Sequence, residues 1–312
     1  MLKENSSSSS FFANGKLLLT SEYLVLDGAK AFAIPTKKGQ SLHVETAEKN
    51  DSIHWLAIDC ENNIWHEEYI SETILLKNIH EITNEVSRFI AQIFQYIESI
   101  KSGFFKKNIG TKLHFKLDFP RNWGLGTSST LISLISQWAN IDPYLLLKNT
   151  FGGSGYDIAC ASATSAIEFK NSNHSQSIVP QVFAPNFSNH LYFVYLEKKQ
   201  NSRSGIEHYR SKKPPTLLEI NQMNEIAETL FFATTLEIFE KAIEKHEAFI
   251  ARFINMEPVK NKIFPDFWGA IKSLGAWGGD FVLATSSKDE ATTKDYFSSK
   301  GYHTILLFSE LV

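Results

Sequence analysis

The sequence predicts an α+β fold in two domains, and three observations lead to that prediction. The chain has 312 residues, which suits two domains of about 150 residues each. Helical and strand-like segments mix along it, without the regular strand–helix alternation of a parallel α/β sheet. A polar stretch at residues 171–177 leads toward a boundary. We therefore expect domains at residues 1–180 and 181–312, with a flexible lead-in at residues 1–10.

Composition and charge exclude several classes of protein. A hydrophobic content of 43% with 21% charged residues is that of a globular protein, which excludes global disorder. The net charge of −3 provides no basic excess for binding nucleic acid. Two cysteines, Cys60 and Cys160, are too few for a disulfide framework or a zinc site. No apolar run approaches the roughly 18 residues of a membrane span, so we expect a cytoplasmic protein.

Apolar patterning places the individual elements. Strands are expected at residues 11–13, 17–19, 23–26, 41–45, 112–119, 191–196, 281–285 and 304–308. A polar turn at residues 61–63 divides the stretch 53–69 into a hairpin. The clearest helical repeat runs from Ile79 to Ile100, with Gly103 as a candidate C-cap. Further helices are expected at residues 130–139, 157–169, 216–233, 236–253 and 289–300.

Glycine clustering singles out three loops, because clustered glycines indicate close backbone approach or positive φ. In the first loop, Gly124-Leu125-Gly126 continues through Thr127-Ser128-Ser129 into an apolar helix. The free N–H groups at such a helix start bind phosphate, and the hydroxyls can ligate Mg²⁺. A tight turn with Ser or Thr as N-cap explains the segment equally well. No Gly-Lys-Ser/Thr follows, so this is not a Walker A loop.

Each of the other segments also has two interpretations. Asp157 follows Gly152-Gly153-Ser154-Gly155-Tyr156 and either caps a helix or supplies a functional carboxylate. Residues 272–280 form either an ordinary loop before a strand or a cover for a ligand. Lys16, in Ala13-Asn14-Gly15-Lys16, is either a solvated lysine at a strand end or a phosphate ligand.

Taken in order, these segments resemble the three motifs of the GHMP kinases, the family of galactose, homoserine, mevalonate and phosphomevalonate kinases. Residues 13–16 with 21–23 are similar to A-P-G-K…G-E-H/Y, residues 120–129 to P-x-x-x-G-L-G-S-S-A, and residues 272–280 to K-x-x-G-A-G-G-G-D/C. Within the family, the sequence looks most like phosphomevalonate and mevalonate kinases. Gly155-Tyr156-Asp157-Ile158-Ala159 is similar to the string that names a bacterial subgroup, the GYDIA type.

The resemblance implies a fold and a role for each matching residue. The fold would be a ribosomal-protein-S5-like N-terminal domain and a ferredoxin-like C-terminal domain, with ATP and substrate between them. Asp157 would be the catalytic carboxylate, Lys16 its cationic neighbour, and Ser128 would lie near Mg²⁺. The ATP phosphates would be held by Gly124, Leu125, Gly126, Thr127, Ser128 and Ser129. The loop closing on phosphate and acceptor would comprise Gly275, Ala276, Gly278, Gly279 and Asp280.

Further residues are candidates for contact with the substrate: Glu22, Tyr23, Ser154, Gly155, Lys198, Lys199 and Arg203. For the three basic residues after residue 196, a solvated loop is the alternative. Cations at these positions suit a carboxylate or phosphate on the acceptor.

Several positions depart from the family pattern. Asn14 and Ser21 replace a proline and a glycine, and Trp277 adds bulk where the third loop should approach a ligand. Leu145-Leu146-Leu147-Lys148 occupies the region where mevalonate kinases carry a metal-binding Glu. Either Mg²⁺ is held mainly by Ser128, ATP and water, or efficient catalysis has been lost.

These observations predict an ATP- and Mg²⁺-dependent kinase for a small anionic substrate, with mevalonate or phosphomevalonate as the best match. The alternatives are a sugar or homoserine kinase of the same fold and a catalytically weak nucleotide-binding regulatory protein. We expect no nucleic-acid or membrane partner, and a homodimer is one option for the assembly.

Overall fold

The computed structural model describes residues 8–46, 51–171, 176–200 and 202–312. Within these ranges the chain forms two compact units that are interleaved along the sequence. The first contains residues 8–15, 38–46, 51–121 and 126–162, and the second contains residues 16–37, 122–125, 163–171, 176–200 and 202–312. The bounds of these units differ from those of the domains expected at residues 1–180 and 181–312. The expected domain boundary stays a prediction. Of the expected flexible lead-in, residues 1–7 lie outside the described residues. Residues 8–10 belong to a strand.

A mixed β-sheet forms the first unit's framework. Its strands are β1 (Ser8–Leu18), β2 (Ala31–Thr46), β3 (Ser52–Ile58), β4 (Ile64–Ser71) and β5 (Thr111–Leu117). The order is β4-β3-β5-β2, with β3 parallel to β5 and the other two pairs antiparallel. The alternation predicted around residues 112–119 is confirmed, because Leu113, Phe115 and Leu117 are buried. The hairpin predicted at residues 53–69 is β3–β4.

Helices pack against this sheet and complete the first unit's core. They are α1 (Glu85–Ile100), α2 (Phe104–Lys107), α3 (Thr127–Ala139), α4 (Pro143–Lys148) and α5 (Tyr156–Ala161). The Asn84 side chain caps α1 by accepting from two first-turn N–H groups. Ile90, Ile93 and Phe94 lie fully buried in the core cluster, each contributing about 1.5–3 kcal/mol by burial. Gly103 is the N-cap of α2, not the C-cap of α1, which is Lys101.

The second unit contains the first part of β2, residues 31–37, which pairs with β6 (Ala166–Asn171). β7 (Gln176–Gln181) pairs with β6 in turn. A separate antiparallel sheet has the order β11-β8-β10-β9. Its strands are β8 (Leu191–Tyr195), β9 (Ile271–Ser273), β10 (Phe281–Thr285) and β11 (Ile305–Leu307).

The helices of the second unit are inserted between these strands. They are α6 (Ser202–Arg210), α7 (Leu217–Phe231), α8 (Leu236–Ile254), α9 (Val259–Ile263), α10 (Glu290–Ser299) and α11 (Phe308–Leu311). A helical insertion thus separates β8 from β9, and α10 separates β10 from β11. Strand–helix–strand–strand–helix–strand with this strand order is the ferredoxin-like arrangement. The prediction for the C-terminal part of the fold is therefore confirmed.

Two predicted elements are wrong. Residues 23–26, predicted as a strand, contribute to the 3₁₀ turn Leu24–Asp27, because positive φ angles at Ser21 and Tyr23 break the extended chain. The helix predicted at residues 157–169 ends at Ala161. Residues 167–169 instead pair with residues 31–33 of β2. Because that partner is distant in sequence, the local preference of a small-residue run could not indicate it.

Among the described residues, no helix combines the length and the apolar character that crossing a membrane requires.

Candidate functional site

Residues from all three motifs line one small recess in the second unit. Lys16 comes from β1, Gly124 from the first glycine loop, and Gly275 and Asp280 from the third. The recess has a volume of about 10 Å³. Trp123 and Leu274 lie beside these residues in its wall. Segments more than 100 residues apart in sequence therefore meet at one place, as the motif order predicted.

Lys16 is bound to the first glycine loop through both its main chain and its side chain. Its backbone N–H donates to the Leu125 carbonyl at 2.9 Å, and its Nζ donates to the Gly124 carbonyl at 2.8 Å. The side chain is half-buried. Lys16 is thus not a solvated lysine at a strand end, and its positive charge is held at the loop predicted to bind phosphate.

The Asp280 carboxylate packs directly against the backbone of Gly124. A Cβ added to Gly124 would lie 2.4 Å from the Asp280 carboxyl carbon, and Gly124 has a φ of +69°. Asp280 is held by its own N–H, which donates to the Lys198 carbonyl at 2.7 Å, and by its Oδ1, which accepts from the Gln200 N–H at 3.0 Å. Burial raises the pKa of Asp280, whereas the Gln200 N–H and the charge of Lys16 oppose that rise.

The chain passes from Leu125 into the N-terminus of α3, which has the form of an anion site. Gly126 is the N-cap, with a φ of +97° and no side-chain capping bond. The first-turn N–H groups of a helix have no acceptor within the helix, and here they belong to Thr127, Ser128 and Ser129. The interpretation in which Ser or Thr is the N-cap is therefore wrong.

The hydroxyls of the same loop have different surroundings. Ser129 is buried, and its Oγ donates to the Gly126 carbonyl at 2.8 Å, so this hydroxyl shapes the turn. Ser128 is exposed. Of the two serines, Ser128 is thus the one exposed to solvent, and its place near Mg²⁺ stays a prediction.

Asp157 is the second residue of α5, a helix that packs against α3 in the first unit. The N-cap of α5 is Gly155, with a φ of +91°, so the interpretation of Asp157 as an N-cap is wrong. Its side chain is half-buried, and Oδ1 lies 3.1 Å from the Ile158 N–H. Ser154, just before the cap, is buried. This leaves Asp157 in the first turn of a helix, where its negative charge is favoured.

The described residues contain no cluster of three or more His, Cys, Asp or Glu side chains that could hold a metal ion. On α4, Leu146 and Leu147 point into the core and Leu145 is half exposed. The segment where a metal-binding Glu was expected thus packs partly into the core, and Mg²⁺ binding stays a prediction.

Glu22 belongs to a fully buried cluster of charged residues. Its Oε1 lies 2.5 Å from Lys272 Nζ, and its Oε2 lies 3.2 Å from His246 Nε2. Lys272 Nζ is also 3.6 Å from Glu247 Oε1. All four side chains are at most 5% exposed. Such burial favours a structural role for Glu22, and its predicted contact with the substrate stays a prediction.

The cluster contains one ammonium for two carboxylates. The Ser21 N–H donates to His246 Nε2 at 2.9 Å, which leaves the imidazole neutral with its proton on Nδ1. Burial lowers the pKa of His246 well below its ordinary value, in agreement with a neutral ring. Burial also raises the pKa of Glu22, which Lys272 partly offsets. Burial raises the pKa of Glu247 to about 7 against the attraction of Lys272.

His246 and Glu247 were missed from the sequence, although a signal was present. They lie on the face of α8 that also buries Phe239, Ile243 and Ile250. An ionisable pair in the phase of an apolar helix face indicates buried charge, and buried charge needs a partner.

Tyr23 and Trp277 connect the first motif with the third. Trp277 donates its backbone N–H to Tyr23 Oη at 3.0 Å, and the Tyr23 ring stacks on Tyr209 at 5.6 Å. The Trp277 side chain is buried in the same apolar cluster. The expectation that Trp277 adds bulk toward a ligand is therefore wrong, because the indole points into the core.

The remaining candidates lie on or near the third loop. Ala276 is buried, and Gly278 has a φ of +95°. A Cβ on Gly279 would lie 2.5 Å from the Lys198 carbonyl, so the loop requires glycine there. The side chains of Lys198, Lys199 and Arg203 are exposed. Their contact with an acceptor stays a prediction.

The fold is shared with solved kinase structures of low sequence identity. The mevalonate kinase of Methanococcus jannaschii aligns with a TM-score of 0.68 and 15% identity over 97% of this chain and 98% of that one. The phosphomevalonate kinase of Streptococcus pneumoniae, solved with phosphomevalonate and AMPPNP, gives 0.67 and 16% over 96% and 98%. The galactokinase of Lactococcus lactis, solved with galactose, gives 0.68 and 14% over 96% and 93%.

No protein-family model and no curated protein sequence matches the chain. The structural likeness, at 14–16% identity over nearly the whole length, shows that this chain has the GHMP kinase fold. The predicted fold is thereby confirmed. Because a fold hosts several functions, activity has to be argued from the site.

We expect Gly124→Ala to destabilise the protein more than Gly275→Ala. Both glycines have positive φ, at +69° and +71°, but a Cβ at Gly275 meets nothing within 4 Å. Gly275→Ala should lower the free energy of unfolding only by the cost of placing a residue with a Cβ in the left-handed conformation, about 1–2 kcal/mol. Gly124→Ala adds a clash costing about 1–3 kcal/mol more. Urea unfolding measures both.

Removing the Asp280 carboxylate provides the matched control. In an Asp280→Ala background, Gly124→Ala should cost no more than Gly275→Ala does. Equal costs of the two glycine substitutions in the parent protein would contradict the proposed packing.

We expect the charge on Glu247 to make stability depend on pH. The folded protein, with a Glu247 pKa of about 7 against an ordinary 4.5, holds a proton that the unfolded chain has released. Stability should therefore fall as pH rises through this window, at up to about 1.4 kcal/mol per pH unit. Glu247→Gln should remove this loss, so that the stability of the variant relative to wild type increases between pH 5 and 7 and stays level above pH 8. If the free energy of unfolding had the same pH dependence in wild type and in Glu247→Gln, titration of Glu247 in this range would be refuted.

Proposed function

We propose that this protein is an ATP-dependent small-molecule kinase of the GHMP type. The observation that supports the proposal is the recess where Lys16, Gly124, Gly275 and Asp280 meet, from which the chain leads directly into the Gly126-capped helix α3. Phosphoryl transfer depends on alignment and charge neutralisation more than on covalent chemistry. Backbone N–H groups and a positioned ammonium supply both.

The residues at this loop fit the phosphates of a nucleotide. The first-turn N–H groups of α3 can donate to phosphate oxygens, and the dipole of the helix favours negative charge at that end. The exposed Ser128 hydroxyl would be a ligand of Mg²⁺. When bound, MgATP supplies the transferable phosphoryl group. The ammonium of Lys16, held at Gly124, would offset charge on the transferring group.

Asp157 would accept the proton of the acceptor hydroxyl. Its position in the first turn of α5 favours the negative charge that a base carries. A nearby Lys16 would help in the same direction, and that pairing stays a prediction.

For the acceptor, we propose a compact anionic alcohol or phosphate such as mevalonate or phosphomevalonate. The motif resemblance and the names of two of the structural neighbours support this choice. A sugar or homoserine is the alternative within the fold, and the galactokinase likeness keeps it in consideration. We also propose a cytoplasmic location, and a homodimer is one option for the assembly.

A screen for ADP release tests the proposal directly. The purified protein is incubated with MgATP and, separately, with mevalonate, phosphomevalonate, homoserine or galactose. We expect acceptor-dependent ADP release with one of the first two. Release with homoserine or a sugar would reassign the acceptor. ATP binding without release on any acceptor would favour a nucleotide-binding regulatory protein.

We expect Gly126→Val to weaken ATP binding by about 100-fold or more, corresponding to about 2.7 kcal/mol or more. A branched side chain would occupy the space where phosphate must approach the α3 N–H groups. Gly103→Val is the matched control, because Gly103 also caps a helix with positive φ, at +79°, in open space. Isothermal titration should show unchanged ATP affinity for the control. Equal effects in both variants would indicate backbone strain instead of a nucleotide site.

We expect Asp157→Asn to lower kcat by about 10²–10⁴-fold with little change in ATP affinity, because the amide cannot accept the acceptor proton. Steady-state kinetics with the acceptor found in the screen measures this. A variant with wild-type kcat would exclude Asp157 as the base.

A further inference from the structure

The short helix α6 is attached to the rest of the second unit mainly by its last three residues. Of its nine residues, only Tyr209 is buried. Beside it, the exposed His208 donates from Nε2 to the Ile254 carbonyl at 2.7 Å. A helix of this length is not stable in water by itself, and Gly205 within it lowers its helix propensity further. The position of α6 therefore depends on the contacts made around Tyr209.

Asp27, at the end of the 3₁₀ turn that follows the first motif, binds two neighbouring side chains of α6. Tyr209 Oη donates to Asp27 Oδ2 at 2.5 Å, and Arg210 Nη1 lies 2.6 Å from Asp27 Oδ1. Arg210 is half exposed, so its ion pair contributes little. Tyr209 is 3% exposed, and its bond to a carboxylate is charge-assisted. We call these three side chains the Asp27 latch, in which the phenol is the main contact.

The helix packs against a side chain that holds the third loop. A Cβ added to Gly205 would lie 2.9 Å from Tyr23 Oη, so the backbone of α6 lies directly on this phenol. The Tyr209 ring stacks on the Tyr23 ring at 5.6 Å. Tyr23 Oη in turn accepts the Trp277 N–H at 3.0 Å. Displacement of α6 would therefore free Tyr23 and, with it, one contact of the third loop.

The residues that precede α6 bind the same loop at Asp280. The Lys198 carbonyl accepts the Asp280 N–H at 2.7 Å, and the Gln200 N–H donates to Asp280 Oδ1 at 3.0 Å. Asp280 has a φ of +54°, a conformation that a residue with a Cβ keeps only where its surroundings impose it. The third loop is thus held at two points, Trp277 and Asp280, by α6 and by the segment before it.

The recess beside this loop is too small for a phosphoryl group. Its volume of about 10 Å³ admits at most one water molecule. Lys16 and the first glycine loop are fixed to each other by the bonds to the Gly124 and Leu125 carbonyls. Asp280, which packs on Gly124, is therefore the part of the wall that has to move before a ligand can enter.

We propose that α6 is a lid for this recess, held shut by the Asp27 latch. When Tyr209 leaves Asp27, α6 undocks, and the third loop loses its bonds to Tyr23 and to the segment before α6. Asp280 then moves aside and admits a phosphoryl-bearing ligand. Redocking of α6 closes the loop over that ligand. The class of ligand rests on the proposed kinase function, whereas the latch and its coupling to the loop do not.

Hydrogen exchange followed by mass spectrometry tests the latch without any ligand. Tyr209→Phe keeps the ring and removes only the O–H that Asp27 accepts. Peptides covering α6 and the third loop should both exchange about tenfold faster in this variant, because a lost hydrogen bond to a charged group raises the open population. Tyr296→Phe is the matched control, since the Tyr296 O–H bonds to Asp266 at 2.7 Å beside Lys300. The control should exchange as wild type in both peptides.

Gly205→Ala distinguishes docking of α6 from its stability as a helix. Alanine has a higher helix propensity than glycine, so it would slow exchange if α6 were stabilised only locally. Its Cβ would instead clash with Tyr23 Oη, and we expect faster exchange in both peptides. Slower exchange in Gly205→Ala, wild-type exchange in Tyr209→Phe, or acceleration confined to α6 would overturn the proposal.

MgATP tests the connection between the lid and the ligand. At a concentration that isothermal titration shows to be saturating, MgATP should slow exchange of both peptides in the wild-type protein, because a bound ligand stabilises the closed state. Unchanged exchange at saturation would overturn the role of α6 as a lid. Absence of binding in the titration would contradict the proposed function, whereas the ligand-free measurements would still decide whether the latch holds the loop.

Discussion

The contact of the Asp280 carboxylate with the backbone of Gly124 is the constraint on which the arrangement of the motifs depends. It joins two loops that are 156 residues apart, and it requires a residue without a side chain at position 124. Lys16 bonds to the same loop at the Gly124 and Leu125 carbonyls. An acid and an amine thus flank one glycine. Their charges partly neutralise each other, which allows both to be held in a confined space.

Behind this contact, buried charges and aromatic rings hold the first and third motifs together. The Glu22–Lys272 ion pair connects them in the interior, and the bond between Tyr23 and the Trp277 N–H does so again. Ser21 adopts a φ of +64°, a conformation that glycine takes without strain. Its hydroxyl, bonded to the Lys30 carbonyl, and its N–H, bonded to His246, hold it there. Buried ion pairs contribute little net stability, but breaking one is costly, so such a cluster specifies one arrangement.

The departures from the family pattern have different consequences in the structure. Trp277 is accommodated because its indole joins the apolar cluster around Tyr23. The leucines of α4 are likewise explained by packing, since two of the three are buried. That helix therefore serves the core and supplies no acidic metal ligand. Metal binding in this chain would rely on the exposed Ser128 and on the nucleotide itself.

Local patterning determined much of this protein. The alternating strand β5, the amphipathic helices α1, α7 and α8, and the final strand–helix–strand all follow from side-chain periodicity within one segment. The glycine motifs indicated the loops that meet at the recess. Their order along the chain, by resemblance, indicated the fold.

Only the tertiary structure decided what depends on partners far away in sequence. Residues 167–169 are a strand because β2 offers an edge, and Leu24–Asp27 turns because Ser21 and Tyr23 are held in strained conformations by distant groups. The burial of His246 and Glu247 depends on their partners Glu22 and Lys272. Glu22 precedes them by more than 220 residues, and Lys272 follows Glu247 by 25 residues. The phase of His246 and Glu247 on α8 could indicate that they are buried, but no periodic signal identifies the distant partner of a residue, because pairing is a property of the assembled core and not of any one segment.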